Sequence, residues 1–537
     1  MVTERTVADA VLDQLASWGV RRIYGYAGDA ILFFLDAVNK HPEITYIQTR
    51  HEAAAAFMAS AEAKLTGRIG VCTATCGPGT ANLINGLADA SADKAPVLAI
   101  TGQVPTKYIG TDYKQYIEEQ TLLQPLIKYG ALLAAPEPAM DIVYTALQVA
   151  TGQGGVAHIA VPKDIFTKPC QDRVRPQNVL FPACKEPRDQ GIQKALAVLE
   201  KAARPMFLVG RGARGKGRLV EELAQKVGAA VTYSLPAKGV IAGDFPLLVG
   251  GLGLAGSHGV SQLLEQADCL LMIGSTWWPE KFVPRQIPII QVDGSLENMG
   301  IQCPIAVGIE GCIAKTLDLL LEKSSSAPNN RWRETIKKSR QNWLEELHKE
   351  REYNENPISP QRLVYSVEKN LAPEAVVALD VGEHVLWFAK IFCGKRQFPL
   401  LSGSWRSMGF GLPAALAAKL ADQERQVVAL VGDGGITMVM GELVTAAELG
   451  LNVKVIVFNN KSLSMERNRM IVTGISQTGT NLDNPDFKKV AEACGWEAYQ
   501  VEDVSVLDDT VAQAFASNRP ALLDVTVSTP IPAHTAL

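Results

Sequence analysis

Short apolar runs alternate along this chain with longer segments in which apolar residues recur roughly every three or four positions. The runs predict strands buried in a parallel sheet, and the longer segments predict amphipathic helices that pack on that sheet. Regular alternation of the two patterns is typical of an α/β fold. We therefore expect three doubly wound parallel-sheet domains, over residues 1–167, 190–321 and 358–537.

Two stretches interrupt the alternation and separate the predicted domains. Residues 168–188 are rich in proline and charge and predict a linker. Residues 322–356 are mostly polar and predict a surface helix with a crossover to the third domain.

The most informative stretch covers residues 427–460. Its pattern predicts a buried strand, a glycine turn, a helix and a second buried strand, at Val427–Val431, 432–435, Thr437–Leu449 and Val453–Phe458. The ends of parallel strands meet at one edge of a sheet, so Asp433 and Asn460 can lie close together.

Asp433 and Asn460 carry oxygen atoms of the kind that bind Mg²⁺, an ion that usually shares its ligands with phosphate groups. Free N–H groups at a glycine turn that leads into a helix suit a diphosphate. The alternative is that Asp433 only caps the helix, as aspartate often does. Both a metal–diphosphate site and a structural turn therefore stay open at this point.

Composition narrows the class of protein. The 537 residues are 47% hydrophobic and carry a net charge of −4, without a lysine run or basic arm, so we expect no binding to nucleic acid. The chain has no apolar stretch of about twenty residues, so we expect no membrane span. Nine scattered cysteines without a CxxC pair and an acidic amphipathic N-terminal helix favour a reduced, cytoplasmic protein.

The GDG turn followed by Asn459-Asn460 resembles the cofactor motif of the thiamine diphosphate-dependent acetolactate synthase and pyruvate oxidase family. The resemblance covers essentially the whole chain and implies thiamine diphosphate and Mg²⁺ as cofactors. It implies three metal ligands, namely Asp433, Asn460 and the backbone carbonyl of Ser462. The glycines around Asp433 are implied to line the cofactor site: Gly432, Gly434 and Gly435.

Glu52 follows Thr49-Arg50-His51 where a predicted strand gives way to a helix. By itself it is an acidic residue in a first helical turn, which is common. The family resemblance implies instead the activating glutamate, whose carboxyl binds the cofactor's pyrimidine ring and favours the tautomer that removes the thiazolium C2 proton. For His51, a structural hydrogen-bonding role and a proton-carrying role stay open.

Other strand-end turns in the first domain resemble the glycine turns of acetolactate synthases that line the site around the cofactor's pyrimidine ring. They place Gly28, Gly77 and Asn82 at the cofactor, although ordinary strand-to-helix turns would look similar. The segment after Thr101 also resembles the family and places Gln115 as a catalytic residue that binds a substrate carboxylate or carbonyl. Lys114 departs from the family pattern and is either an exposed loop lysine or a reader of an anionic substrate.

The third domain resembles the diphosphate side of the same site. The turn after the strand Ala375–Leu379 implies cofactor contacts from Gly382, Glu383 and His384, although His384 could instead cap a helix.

Two methionines are implied to contact the cofactor. Met408 is implied to be the wedge that bends it, which its flexible side chain suits, and Met465 is implied to lie beside it. Arg469 lies on the same helical face as Met465 and either binds a substrate anion or faces solvent.

The middle domain carries a weak nucleotide signal. Its GxGxxG turn lacks the acidic residue expected after the next strand. The turn at 277–279 (WWP) resembles pyruvate oxidases, whose middle domain binds FAD. The residues that would contact a possible FAD are Gly210, Gly212, Gly253, Ser275 and Thr276.

The family implies decarboxylation of pyruvate or a similar 2-oxo acid. We favour transfer of the resulting two-carbon unit to a second 2-oxo acid, as in acetolactate synthases. Alternatives are an FAD-dependent pyruvate oxidase or quinone-linked dehydrogenase, a simple decarboxylase, or a catalytically silent homologue. The family also implies a homodimer or homotetramer with active sites between subunits, whereas the sequence does not predict whether a regulatory subunit binds.

Overall fold

The computed structural model describes residues 4–177, 185–253, 255–276, 282, 286–301, 303–325 and 329–531. These residues form three six-stranded sheets, each from one continuous stretch of chain, with parallel pairing throughout. The predicted α/β fold with three parallel sheets is therefore confirmed. The domain boundaries at 1–167, 190–321 and 358–537 stay predictions.

The first sheet has the strand order β2-β1-β3-β4-β6-β5. Its strands are β1 Arg22–Gly25, β2 Thr45–Gln48, β3 Gly70–Ala74, β4 Val97–Gln103, β5 Ile127–Leu132 and β6 Val156–Pro162. Its helices are α1 Val7–Ser17, α2 Leu32–Lys40, α3 Glu52–Thr66, α4 Pro78–Ala92, α5 Glu119–Leu123 and α6 Ala139–Gln153. The residues of β3, β4 and β6 are all buried, because helices cover both faces of the sheet.

The middle sheet has the strand order β9-β8-β7-β10-β11-β12, which is the arrangement of dinucleotide-binding folds. Its strands are β7 Pro205–Val209, β8 Ala230–Tyr233, β9 Leu248–Gly251, β10 Cys269–Ile273, β11 Ile289–Asp293 and β12 Val307–Glu310. Its helices are α7 Asp189–Leu199, α8 Gly217–Val227, α9 His258–Gln266 and α10 Ile313–Lys323, and α11 Asn330–Arg351 leads to the third sheet.

The third sheet repeats the pattern of the first, with the order β14-β13-β15-β16-β18-β17. Its strands are β13 Val376–Leu379, β14 Phe398–Leu401, β15 Val427–Gly432, β16 Lys454–Asn459, β17 Glu497–Val501 and β18 Ala521–Thr526. Its helices are α12 Pro360–Lys369, α13 Glu383–Ile391, α14 Gly411–Ala421, α15 Asp433–Thr437, α16 Glu442–Glu448, α17 Ser464–Thr473, α18 Phe487–Ala493 and α19 Leu507–Ala516.

Helices α3 and α14 pack together where the first and third units meet. The rings of Phe57 and Phe410 lie edge to face with centroids 5.8 Å apart. Beside them, Nζ of the buried Lys64 lies 2.7 Å from both Asp89 and Asp93. Asp93 also accepts hydrogen bonds from two backbone N–H groups of the loop that leads to Met408. The two units therefore share one apolar core and one buried charge cluster.

The structure corrects two predicted elements in the stretch that contains Asp433. Residues 433–435, expected in a glycine turn, begin the short helix α15, and the helix expected at Thr437–Leu449 starts only at Glu442, as α16, after a turn at 438–441. A Cβ on Gly441, at the end of this turn, would lie 3.0 Å from the Cβ of Arg50, so the break brings the backbone against the first unit. Helical periodicity contains no information about such a contact between units.

No helix among the residues that the structure describes is both long enough and apolar enough to cross a membrane. The eight cysteines in the described ranges form no disulfide bond with one another.

Candidate active site

A cleft opens at the carboxyl ends of β13 and β15, where the strand order of the third sheet changes direction. Ligands of open α/β sheets bind at such a switch point. The empty space of the cleft, counted together with the part that is open to solvent, is about 500 Å³. The residues that line it include eleven of the predicted cofactor and metal residues: Gly382, Glu383, His384, Met408, Gly432, Asp433, Gly434, Gly435, Asn460, Ser462 and Met465.

The predicted metal ligands lie together at the ends of β15 and β16. The backbone N–H of Asn460 donates to Oδ2 of Asp433 at 3.2 Å. Lys461 has a left-handed backbone with φ of 54°, which turns the chain sharply between Asn460 and Ser462. Asn484 donates to the same Asp433 oxygen at 2.9 Å and holds the carboxylate in place. Burial raises the pKa of Asp433, so a nearby cation would compensate for the cost of its charge.

His384 stands in the first turn of α13 and is almost completely buried. Its ring stacks on Phe458 with centroids 5.5 Å apart. Burial lowers the pKa of His384 to about 4, although hydrogen bonding to the backbone of Asp380 and Leu430 acts in the opposite direction. Nε2 has no hydrogen-bond partner among the described residues. An anion in the cleft would give this nitrogen a partner and favour its protonated form.

Glu383 precedes His384 in the chain and is held by a hydrogen bond from helix α17. Nδ2 of the fully buried Asn468, on α17, donates to its Oε1 at 2.6 Å. Burial raises the pKa of Glu383 to about 7, against the hydrogen bond from Asn468 and a smaller effect of Arg467. A protonated Glu383 can donate to an anion, whereas an ionised one would repel it.

Met408 and Met465 project into the cleft from two different segments. The Met408 segment is anchored by Asp380, whose Oδ1 accepts the backbone N–H of Gly409 at 2.9 Å. Oδ2 of the buried Asp380 lacks a partner within the described part of the chain, and burial raises the pKa of this carboxyl to about 6.

Glu52 begins helix α3 in the first unit and is 8% exposed. Asn82 donates to its Oε2 at 3.0 Å, so two predicted cofactor residues are in direct contact. His51 caps the helix, with Nδ1 accepting the backbone N–H of Ala53 at 3.1 Å. This contact accounts for His51 as a structural residue.

Gly28 and Gly77 lie at the ends of β1 and β3, the switch point of the first sheet. The Gly77 turn packs against Gln115, which has a left-handed backbone with φ of 64°. Gln115 and the neighbouring Lys114 are exposed. Predicted cofactor residues of the first unit therefore gather at the same topological position as those of the third.

The predicted cofactor residues of the first unit do not line the cleft of the third unit. Glu52, Asn82 and Gln115 are absent from the lining of the cleft that contains Asp433. Arg469 is exposed on α17 and does not line the cleft either. The predicted cofactor residues of the chain thus form two groups, named here the metal half-site and the activating half-site, one at the switch point of each outer sheet.

The GxGxxG turn of the middle unit is satisfied internally. The N–H groups of Gly210 and Gly212 donate to the carbonyls of Ile273 and Gly274 at 2.8 and 2.9 Å. A Cβ on Gly210 would lie 2.2 Å from the Gly274 oxygen, so the glycine is required for this close approach. The side chain of Arg211 reaches the carbonyl of Asp93 in the first unit at 2.8 Å. The described part of this turn therefore does not offer the run of free N–H groups that a phosphate needs.

The remaining possible FAD residues lie on neighbouring strand ends. Ser275 is buried and accepts Gln291 through its carbonyl at 3.0 Å, whereas Thr276 is exposed. Gly253 follows β9 in a turn with φ of 115°. The predicted WWP turn at 277–279 lies outside the described residues. Binding of FAD stays a prediction.

The sequence reasoning missed several residues of the cleft and its support: Asp380 as an anchor, Trp387, Phe458, Glu466, Asn468 and Asn484. Asp380 and Phe458 could have been found, because Asp380 directly follows the buried strand β13 and Phe458 is the last residue but one of the buried strand β16. Asn468 and Asn484 carry no comparable signal, since their contacts depend on how α17 and the segment after it fold back.

The donor set of the cleft agrees with a metal bound jointly with a diphosphate. The described residues contain no cluster of three His, Cys, Asp or Glu side chains that could hold a metal alone. One carboxylate, one amide and one carbonyl oxygen, with open positions for phosphate oxygens, suit Mg²⁺.

In comparisons with known proteins, each of the three units matches a domain of one enzyme family. Residues 5–124 match the N-terminal TPP binding domain of thiamine pyrophosphate enzymes, residues 192–320 match their central domain, and residues 380–525 match their C-terminal TPP binding domain.

Full-length relatives point the same way. A protein of Bacillus subtilis, named provisionally as the thiamine pyrophosphate-containing protein YdaP, is 33% identical over 529 residues, covering 98% of this chain and 92% of that protein. The acetolactate synthase large subunit of Parasynechococcus marenigrum is 32% identical over 542 residues, covering 97% and 87%. The pyruvate oxidase of Lactiplantibacillus plantarum is 30% identical over 541 residues, covering 98% and 89%. This chain belongs to the thiamine pyrophosphate enzyme family.

Proposed function

We propose that this protein uses thiamine diphosphate and Mg²⁺ to decarboxylate pyruvate or a similar 2-oxo acid and joins the two-carbon unit to a second 2-oxo acid. The observation that carries the proposal is the convergence in one cleft of Asp433, Asn460 and Ser462 with His384, whose Nε2 has no hydrogen-bond partner among the described residues. The acetolactate synthase among the relatives of this chain supports the choice of this reaction.

In this proposal the metal is held by the Asp433 carboxylate, the Asn460 side-chain oxygen and the Ser462 carbonyl. These are hard oxygen donors of the kind that Mg²⁺ prefers, and phosphate oxygens would complete its shell. His384 and protonated Glu383 would donate hydrogen bonds to the diphosphate. Bound thiamine diphosphate would supply the electron sink for the loss of CO₂.

The residues at the reacting end are assigned from both half-sites. Glu52 would bind the pyrimidine ring through its carboxyl, oriented by the hydrogen bond from Asn82. Met408 would fill the space under the bent cofactor. Gln115 would bind the substrate carboxylate or carbonyl, and the exposed Lys114 and Arg469 would attract a second anionic substrate.

A complete site requires two chains in this proposal, because Glu52 and Asp433 of one chain line different places. The smallest active form is then a homodimer, and a homotetramer would contain two such dimers. Co-expression of Glu52→Gln with Asp433→Ala tests this arrangement. Random pairing of the two inactive variants should restore about a quarter of wild-type activity if sites are shared between chains. No restoration would indicate sites within single chains.

A second candidate function is oxidation of the 2-oxo acid with FAD as electron acceptor. Two observations favour it: the dinucleotide-type strand order of the middle sheet and the pyruvate oxidase among the relatives. The internally satisfied turn at Gly210 argues against it. The absorbance spectrum of purified protein would show directly whether a flavin is present.

The decisive experiment is turnover of pyruvate by cofactor-saturated protein, with products identified by NMR. Acetolactate formed equally under air and anaerobically with a quinone dye would support carboligation. Acetate or acetyl phosphate that appears only with an oxidant would support the oxidase. Acetaldehyde would indicate a simple decarboxylase, and bound cofactor without CO₂ release would indicate a silent homologue. Inactivity with pyruvate but turnover of a more anionic 2-oxo acid would assign Lys114 and Arg469 to substrate choice.

A further inference from the structure

Glu442 belongs to α16 of the third unit, but its carboxylate contacts the first unit. Oε1 accepts the backbone N–H of Arg50 at 2.8 Å, and the backbone of His51 is a further hydrogen-bonding contact. Oε2 accepts the hydroxyl of Thr445 at 2.8 Å. Glu442 is 1% exposed, so its acceptors are satisfied inside the protein rather than by water.

The contact lies directly before the helix that begins at Glu52. The N–H groups that precede a helix have no partner inside it, and a carboxylate that accepts them makes a strong, charge-assisted hydrogen bond. His51 satisfies the N–H of Ala53 with its own side chain. Glu442 and His51 together therefore fix the backbone at the start of α3, and the position of the Glu52 carboxyl depends on that backbone.

The chain is built for this close approach. Gly441 lies against Arg50, and a Cβ there would be 3.0 Å from the Arg50 Cβ. The guanidinium of Arg50 forms an ion pair with Glu448, at the other end of α16. The same two segments thus share a buried bond through Glu442 and an exposed one through Glu448, whose side chain is 57% exposed.

We propose that Glu442 is a positioning residue that holds Glu52 in the orientation required to activate the cofactor. The inference rests on the proposed function, since it takes Glu52 as the group that contacts the pyrimidine ring. Glu442 follows Asp433 on one short segment, so it links the metal half-site and the activating half-site of the same chain. Where complete sites form between two chains, this bond connects two different active sites.

The bond should affect activation more than binding. A shift of about 1 Å in a catalytic group can lower a rate by about 100-fold. Loss of the Glu442 carboxylate would release the Arg50 N–H and loosen the start of α3. The Asp433 side chain keeps its own partners, Asn484 and the N–H of Asn460, so metal-dependent cofactor affinity should change little.

The experiment compares Glu442→Ala, Glu442→Gln and the matched control Glu448→Ala, which removes the exposed contact to the same arginine. The first measurement is backbone amide hydrogen exchange, by mass spectrometry, of peptides covering residues 46–57 in the protein without cofactor. The second is hydrogen–deuterium exchange at C2 of thiamine diphosphate, expressed per bound cofactor. The third is the dissociation constant of thiamine diphosphate with Mg²⁺.

Glu442→Ala should speed amide exchange at residues 50–52 and slow C2 exchange by about 100-fold, with less than about threefold change in the dissociation constant. Glu442→Gln should restore both exchange rates to near wild type, because its amide oxygen can still accept the Arg50 N–H. Glu448→Ala should behave as wild type in all three. Should Glu442→Ala fail to fold, Glu442→Asp replaces it. The aspartate keeps the charge but has a shorter reach, so it should give the faster amide exchange and slower C2 exchange expected for Glu442→Ala.

Two results would overturn the assignment. Unchanged amide exchange in Glu442→Ala would refute the contact itself, and wild-type C2 exchange despite lost amide protection would refute the positioning role. A wild-type protein that binds thiamine diphosphate but shows no C2 exchange would refute the proposed function and the role of Glu52. The amide measurement reports the Glu442 contact in either case, so the two failures are distinguishable.

Discussion

The backbone N–H of Asn460 donates to Oδ2 of Asp433 at 3.2 Å and joins two residues that lie 27 positions apart. The bond exists because β15 and β16 are parallel neighbours, so their carboxyl ends reach the same edge of the sheet. It orients the carboxylate toward the cleft and brings the Asn460 side chain beside it. Strand pairing alone therefore assembles the core of the candidate metal site.

Asp433→Ala should abolish the dependence of cofactor binding on Mg²⁺. Loss of a charged metal ligand should weaken the binding of thiamine diphosphate by about 100-fold or more, which corresponds to ~3 kcal/mol. Asn484→Ala should have a smaller effect, because it removes hydrogen bonds to that carboxylate and to the side chain of Asn459 but no metal ligand. Isothermal titration with and without Mg²⁺ measures both, with the exposed Asp509→Ala as control. Full Mg²⁺-dependent affinity in Asp433→Ala would refute the metal assignment.

The sequence was sufficient where strands and turns place residues directly. Asp433, Asn460, His384 and Met408 all stand at or near strand ends of one sheet, so motif and topology together predicted a common cleft. Glu442 gave no such signal: it lies inside a segment predicted as one continuous helix. Its role depends on a break in that helix and on a contact with the first unit.

The middle unit shows the opposite limit of sequence reasoning. The GxGxxG pattern occurs there, but the glycines serve close packing of Gly210 against Gly274 and leave few N–H groups free. A local motif reports which residues can approach closely. It does not report whether the neighbour is a phosphate or another strand end.

Glu52→Gln should retain the cofactor but lose its activation. The glutamine side chain keeps an oxygen for Asn82, which donates to Oε2 at 3.0 Å, but it cannot share a proton with the pyrimidine ring. Loss of such proton transfer typically costs about 10²–10⁴-fold in rate. C2 hydrogen exchange by NMR at saturating cofactor is the measurement. An exchange rate equal to that of the wild type would show that another group activates the cofactor.

Glu383→Gln should change the pH dependence of stability in the cofactor-free protein. Burial raises the pKa of Glu383 from 4.5 to about 7, so the folded protein keeps this proton between those values while the unfolded chain loses it. The stabilisation from the bound proton is therefore present below about pH 4.5 and is lost as pH rises to about 7.

A glutamine at 383 is neutral at every pH and still offers an acceptor to Asn468. We expect it to be more stable than the wild type by ~1–3 kcal/mol at pH 8, with the difference vanishing near pH 4.5. Urea midpoints across this range measure the effect, and the exposed Glu374→Gln serves as control. Parallel pH profiles for Glu383→Gln and wild type would contradict the assigned protonation state.

Lys64→Met should strongly destabilise the interface between the first and third units. The ammonium group lies 2.7 Å from both Asp89 and Asp93, and all three side chains are at most 5% exposed. Removal of the lysine takes away the ion-pair partner of both buried carboxylates and leaves Arg211 as a positive neighbour of Asp93, so we expect a cost of about 3 kcal/mol. Lys40→Met breaks an exposed pair with Asp36 and should cost about 0–1 kcal/mol.

Restoring charge balance should recover part of this loss. Asp89→Asn in the Lys64→Met background removes the charge of one of the two carboxylates that lost the lysine, so the double variant should be more stable than the single one. The loss of stability that remains in the double variant measures the cost of the Asp93 carboxylate, which still accepts hydrogen bonds from the backbone N–H groups of Gly403 and Ser404. Urea unfolding followed by far-ultraviolet circular dichroism measures all four proteins. Equal, small losses for Lys64→Met and Lys40→Met would mean that water compensates the buried carboxylates and that the cluster does not hold the two units together.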